Sequence, residues 1–175
     1  TTFFRFALAA VLLTPYIIFR TKGSSAQNPK RFRSVKLLLQ LLAAGLLLTG
    51  NYGLYILGLE RSTAEATQLM IQVAPMLLLL SGLWVFGERF SRTQWLGFAT
   101  FFGGLLMFFY PHFYGLFIAM NDYGLGVLMV LLAAVLWTGY AILQKFLLRE
   151  FSSQETMLVF YWIGALAFLP FTDFT

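Results

Sequence analysis

The sequence has no cysteine and a single histidine, His112. Disulfides and thiolate metal sites are therefore excluded, and histidine-based catalysis or metal binding has almost nothing to work with. Charge is scarce as well. Only 11% of residues are Asp, Glu, Lys or Arg, against about 25% in ordinary soluble domains. Hydrophobic residues make up 59% of the 175-residue chain, against roughly 45–50%. A soluble domain of this length lacks the polar surface to cover so much apolar material. Disorder is excluded for the converse reason, since disordered chains are poor in apolar residues. A net charge of +5 would suit a nucleic-acid binder only if the charges shared a folded surface, and their placement along the chain points elsewhere.

Long uncharged runs are what the sequence does have. A bilayer core takes about 20 apolar helical residues. Six runs approach or reach that length: Phe6–Phe19, Leu37–Leu59, Ala66–Gly87, a fourth from Thr93 that Pro111-His112 breaks near Tyr110, Tyr123–Gln144, and Thr156–Thr172. Outer-membrane barrel strands alternate apolar and polar residues. Stretches such as Met76 to Leu80 and Val127 to Leu132 do not alternate. They read as helices, which satisfy their backbone groups internally in lipid. The expected fold class is all-α: a polytopic transmembrane helical bundle with six spans. The chain opens almost inside one hydrophobic run, has no initiator Met and stops after the sixth. It reads as a fragment with both ends cut.

Basic residues orient the spans. Arg20, Lys22, Lys30, Arg31, Arg33, Lys36, Arg89, Arg92, Lys145 and Arg149 fall at odd-numbered connections, and only Arg5 and Arg61 at the other side. Loops rich in Lys and Arg stay cytoplasmic, so odd connections are expected inside. The stretch from Arg20 to Lys36 is read as orientation and lipid-headgroup contact rather than a nucleic-acid patch. Phe113–Met120 is expected on the outer surface or in a short helix there.

The order of several short motifs is similar to that of a known family. Gly58-Leu59-Glu60-Arg61-Ser62-Thr63-Ala64-Glu65-Ala66, then Pro75, Gly87-Glu88-Arg89, Gln94-Trp95-Leu96-Gly97 and Gly103-Gly104 resemble the EamA-type repeat of the drug/metabolite transporter superfamily. The run Leu132 to Tyr140, followed by Gln144-Lys145, resembles the first span of that family's second repeat. Arg5-Phe6 with Ala7 to Ala10 resembles its second span. The resemblance implies ten spans in two inverted five-span repeats, of which this chain supplies the second to the seventh. Residues 1–110 would be most of the first repeat, 111–122 an outer connection, and 123–175 the start of the second repeat. The family carries amino acids, amines, nucleotide sugars and drugs, so the resemblance leaves the cargo open.

No ionisable residue lies deep within a run, so no proton relay is legible. Buried amides and aromatics are the remaining polar candidates. Asn51 and Tyr55 share a helix face, as do Gln68 and Gln72, and Trp137, Tyr140 and Gln144 follow one stripe. They read either as interhelical packing or as a substrate pathway. The resemblance places them on cavity-lining helices. Gly45, Thr49 and Gly53, like Ala99 and Gly103, have the small-residue spacing that lets helices approach closely. Pro75 reads as a hinge or an inert kink. Glu88 reads as a structural anchor rather than a catalytic acid. The expected function is a secondary transporter that exports or exchanges small metabolites by alternating access. The alternatives are a structural or assembly membrane protein, or an intramembrane enzyme, which the lack of a nucleophile–base pair disfavours. No cofactor and no metal are expected. The expected partners are membrane lipid and a small-molecule substrate, with a homodimer left open and nucleic acid not expected. The expected location is the bacterial plasma (inner) membrane.

Overall fold

The computed structural model describes residues 2–21, 34–85, 87–112 and 121–172. No strand occurs among them. Seven α-helices follow in order: α1 Thr2–Thr21, α2 Val35–Arg61, α3 Ala64–Ile71, α4 Val73–Val85, α5 Arg92–Phe109, α6 Asp122–Leu147 and α7 Ser153–Phe168. Single 3₁₀ turns, Tyr110–His112 and Leu169–Phe171, end α5 and α7. The fourth run thus breaks at Pro111-His112 as expected. Phe113–Met120 and the basic residues Lys22, Lys30, Arg31 and Arg33 lie outside the described residues.

Four stretches are long and apolar enough to cross a bilayer: Thr2–Phe19, Val35–Arg61, Ala64–Val85 and Asp122–Leu147. The remaining two runs form α5 and α7. The 16 residues of α7 rise only about 24 Å, short of the roughly 30 Å hydrocarbon layer. The polar first turn of α5, Arg92 to Gln94, lowers that helix's hydropathy.

Local chemistry sets the helix ends. Ser91 opens α5 with a capping box: its hydroxyl accepts from Gln94 N–H at 3.3 Å, and its own N–H donates to Gln94 Oε1 at 2.7 Å. Ser152 and Glu155 repeat the arrangement at α7, at 3.3 and 2.7 Å. Each box satisfies two orphan donors at once. Gly87 closes α4 at φ +66, a left-handed conformation that costs glycine little. The Glu88 N–H then returns to the Gly82 carbonyl at 3.0 Å.

One expectation is refined. The third run is broken, with a turn at Gln72 separating α3 from α4. Pro75 brings no N–H for the Ile71 carbonyl and its ring crowds that carbonyl, so the disruption shows one turn before the proline. The Gln72 N–H bonds instead to Leu69 O at 3.2 Å. Pro15 does not break α1 in the same way.

The chain divides into two compact units, Thr1–Thr49 with Gly139–Thr175 and Gly50–Thr138. In the first, α1 packs on α7. The Phe6 ring lies over Gly164, where a Cβ would collide with it, and meets Tyr161 and Phe168 at centroid distances of 6.1 and 5.8 Å. Ile163 fills the space over Gly45. Tyr140 packs edge-on against Phe160 at 5.6 Å. In the second unit, Ala66, Phe109 and Val127 form a buried cluster, with Met70, Leu105 and Tyr123 around it.

Candidate functional site

In the second unit several polar groups reach between helices, and its frame is the pairing of α2 with α6. A Cβ on Gly58 would lie 2.7 Å from Gly126 O, and one on Gly126 would lie 2.9 Å from Gly58 O and from the Arg61 carbonyl carbon. Backbone faces backbone there, so only glycine fits. Two turns back along α2 and two turns forward along α6, the Asn51 Nδ2 donates to Ala133 O at 2.8 Å. The matched steps in opposite directions show that the helices run antiparallel. The amide bond and the glycine contact pin one register.

A second polar stitch joins α2 to α3. The Ser62 hydroxyl donates to Gly58 O at 2.7 Å and lies 2.9 Å from Thr67 Oγ1. Thr63 caps α3, accepting from Ala66 N–H at 3.2 Å. The Ser62-Thr63 turn therefore ends one span and starts the next with few orphan groups. Further along, Gln68 Nε2 donates to the Tyr55 hydroxyl at 3.0 Å.

The broken span carries a third contact. Thr138 of α6 is buried, and its hydroxyl lies 2.9 Å from Ala134 O on its own helix and 3.3 Å from Ala74 O on α4. Ala74 immediately precedes Pro75. The contact thus lies within one turn of the break at Gln72.

The proposed pathway residues are distributed as follows. Asn51 is buried and its amide is bound to α6. Tyr55 and Gln68 pair with each other. Gln72 occupies the break and is exposed, and Trp137 is half-buried. These five belong to the second unit. Tyr140 and Gln144 belong to the first, where Tyr140 is buried and Gln144 lies about one turn further along the same helix. Pro75 is exposed near the start of α4. The Glu88 carboxylate folds back over the last turn of α4, its Oε2 lying 2.8 Å from where a Gly82 Cβ would sit. Thr49 is buried, and its hydroxyl finds no partner among the described residues.

Sequence reasoning missed Thr138, Gly126 and the Ser62–Thr67 pair as interhelical contacts. A lone Thr in an apolar run gives no signal, because its usual acceptor is its own i−4 carbonyl. Gly126 is likewise one of 15 glycines, and only the partner backbone distinguishes it.

The second unit also contains an apolar cavity of about 270 Å³ between α3, α5 and α6, with Met70, Phe102, Phe109 and Leu131 among its walls. Its lining offers almost nothing to fix a polar ligand's orientation, unlike a typical small-molecule site. Among the described residues, no three His, Cys, Asp or Glu side chains converge as metal ligands would.

The chain is similar to an uncharacterized transporter of Haemophilus influenzae, 28% identical over 173 residues, which is 98% of this chain and 54% of that protein. It is also similar to YhbE of Escherichia coli K12, an uncharacterized inner membrane transporter, 28% identical over 169 residues, 96% of this chain and 51% of that one. The chain spans about half the length of these relatives. No solved structure matches it. The profile of the EamA-like transporter family matches residues 1–110. With well over half its length in that match, the chain belongs to the EamA-like transporter family.

Proposed function

We propose that the protein works as a secondary transporter, exporting or exchanging small metabolites across a bacterial inner membrane by alternating access. The membrane assignment follows the name of its Escherichia coli relative. The observation that carries the reading is the break at Gln72 inside the membrane-long stretch Ala64–Val85. In hydrocarbon a broken helix needs water, protein or cargo to satisfy its backbone, and transporters place their sites at such breaks.

On this reading the pathway residues are Asn51, Tyr55, Gln68, Gln72 and Trp137 in the second unit and, separately, Tyr140 and Gln144 in the first. Gln72 is the most direct contact, because its side chain is exposed at the break. Asn51 acts by holding α2 on α6. Pro75 is the hinge and Glu88 anchors the inner end of α4. Residues 1–110 supply most of the first repeat, 111–122 the outer connection and 123–175 the start of the second. On this reading the arrangement offers binding and conformational change, and transport is its chemistry.

The test is flux through the full-length protein in liposomes, with labelled amino acids, amines and nucleotide sugars inside. Saturable flux of one class, reduced at least tenfold by Gln72→Leu in a protein of unchanged Tm, is the expected outcome. Folded protein that moves none of these solutes would favour a structural or assembly role. Unchanged flux in Gln72→Leu would remove Gln72 from the pathway.

A further inference from the structure

We propose that Thr138 is the positioning residue that latches the mobile half of the broken span, an inference that rests on the transport reading above. Its hydroxyl has one proton and two carbonyls within reach. Ala134 O, on its own helix, is at 2.9 Å, and Ala74 O, on α4, is at 3.3 Å. The residue is 7% exposed, so water does not compete freely for that proton. Two other described threonines within helices, Thr14 and Thr100, bond to their own helix at 2.7 and 2.9 Å, and Thr67 meets Ser62 in the adjoining turn. Thr138 reaches a carbonyl 64 residues away, on a different span.

The location gives the contact its meaning. Ala74 lies between the turn at Gln72 and the proline at 75, where the α-helical ladder is already interrupted. A segment starting at such a break can change its angle without breaking a full set of helical bonds. To swing away from α6, α4 must release Ala74 O from Thr138. That release is cheap because the proton then settles wholly on Ala134 O and no buried donor is orphaned. Ala74 O keeps its place in the helical ladder of α4. The hydroxyl therefore holds two states of comparable energy, one latched across helices and one closed within α6. Small gaps of this kind let a bound solute shift a conformational equilibrium.

The glycine contact of Gly58 with Gly126 behaves differently. Its atoms are backbone, with no alternative partner to move to. The α2–α6 pair is thus a fixed frame, and α4 moves against it.

The experiment uses the full-length protein in nanodiscs and liposomes, with Thr138→Val, which keeps size and removes the hydroxyl, and Thr138→Ser, which keeps the hydroxyl. Amide exchange over residues 73–85 should rise about twofold in Thr138→Val, the low end of one net hydrogen bond, because the shared hydroxyl makes release cheap. Exchange around Gly58 and Gly126 should stay unchanged, and Thr138→Ser should restore the wild-type pattern. In transport, Thr138→Val should alter kcat and KM by different factors, since it changes the balance of two states and not a contact with cargo. The latch is overturned if exchange over 73–85 is unchanged, if it rises equally along the α2–α6 seam, or if Thr138→Ser fails as Thr138→Val does. Its role in transport is overturned if exchange rises while kcat and KM both hold. A wild type that moves no solute, with the exchange result intact, would sink the transport reading and leave the latch standing.

Discussion

Gly126→Ala is the sharpest test of the α2–α6 frame. The added methyl would sit 2.9 Å from the Gly58 carbonyl oxygen, 2.9 Å from the Arg61 carbonyl carbon and 3.0 Å from Arg61 Cβ. Ordinary contacts begin near 3.4 Å, so the helices must part by about half an ångström. Two of the three atoms are backbone and cannot rotate away. A gap of that size forfeits roughly a quarter of the dispersion well for each contact along the seam. It also stretches the Asn51–Ala133 bond from its 2.8 Å beyond good hydrogen-bond range. Overpacking of this kind costs about 1–3 kcal/mol, or roughly 1–5 °C in Tm for a full-length protein about twice as long as this chain. Gly50→Ala is the internal control, because its methyl meets only the flexible end of Leu136, at 3.1 Å. That variant should stay within about 0.5 kcal/mol of wild type. The assay is thermal unfolding of the full-length protein in detergent micelles, followed by size-exclusion chromatography. Equal shifts in the two variants, or a wild-type Tm for Gly126→Ala, would refute the close-approach argument.

Other outcomes follow from single contacts. Asn51→Leu removes the amide bond to Ala133 and should cost about 0.6–1.7 kcal/mol in the same melt, the range of interhelical hydrogen bonds in membranes. Pro75→Ala restores a backbone N–H opposite Ile71 O, so amide exchange at residues 69–76 should slow and Tm should rise, while transport falls. Ser152→Ala removes one arm of the box that opens α7 and should lower stability by about 1 kcal/mol; Ser152→Thr should not.

Parts of the site were legible before any tertiary contact was known. Helical spacing put Asn51 with Tyr55 and Gln68 with Gln72 on common faces, because 3.6 residues per turn is a local rule. The pairing of Gln68 with Tyr55 is close to that reading, since only the Ser62-Thr63 turn separates their helices. The position of the break was only half legible. Pro75 announced a weak point, but the turn formed at Gln72, because the proline acts on the carbonyl four residues before it.

The sequence by itself determined which segments are helices and, the turn at Gln72 aside, where they stop. Uncharged runs must satisfy their own backbone, and Ser91, Gly87, Ser152 and Pro111 end or start them through chemistry within a few residues. It also determined the family, because the order of turns, prolines and glycines is one-dimensional. Only the tertiary structure decided which small residue is a seam and which polar group has a partner. The bond from Asn51 to Ala133 joins residues 82 apart, and that from Thr138 to Ala74 joins residues 64 apart. In lipid, every apolar face is equally content against a tail or another helix. The partner of each helix is therefore set by close backbone approach and a few buried hydrogen bonds, which exist only once two distant spans lie side by side.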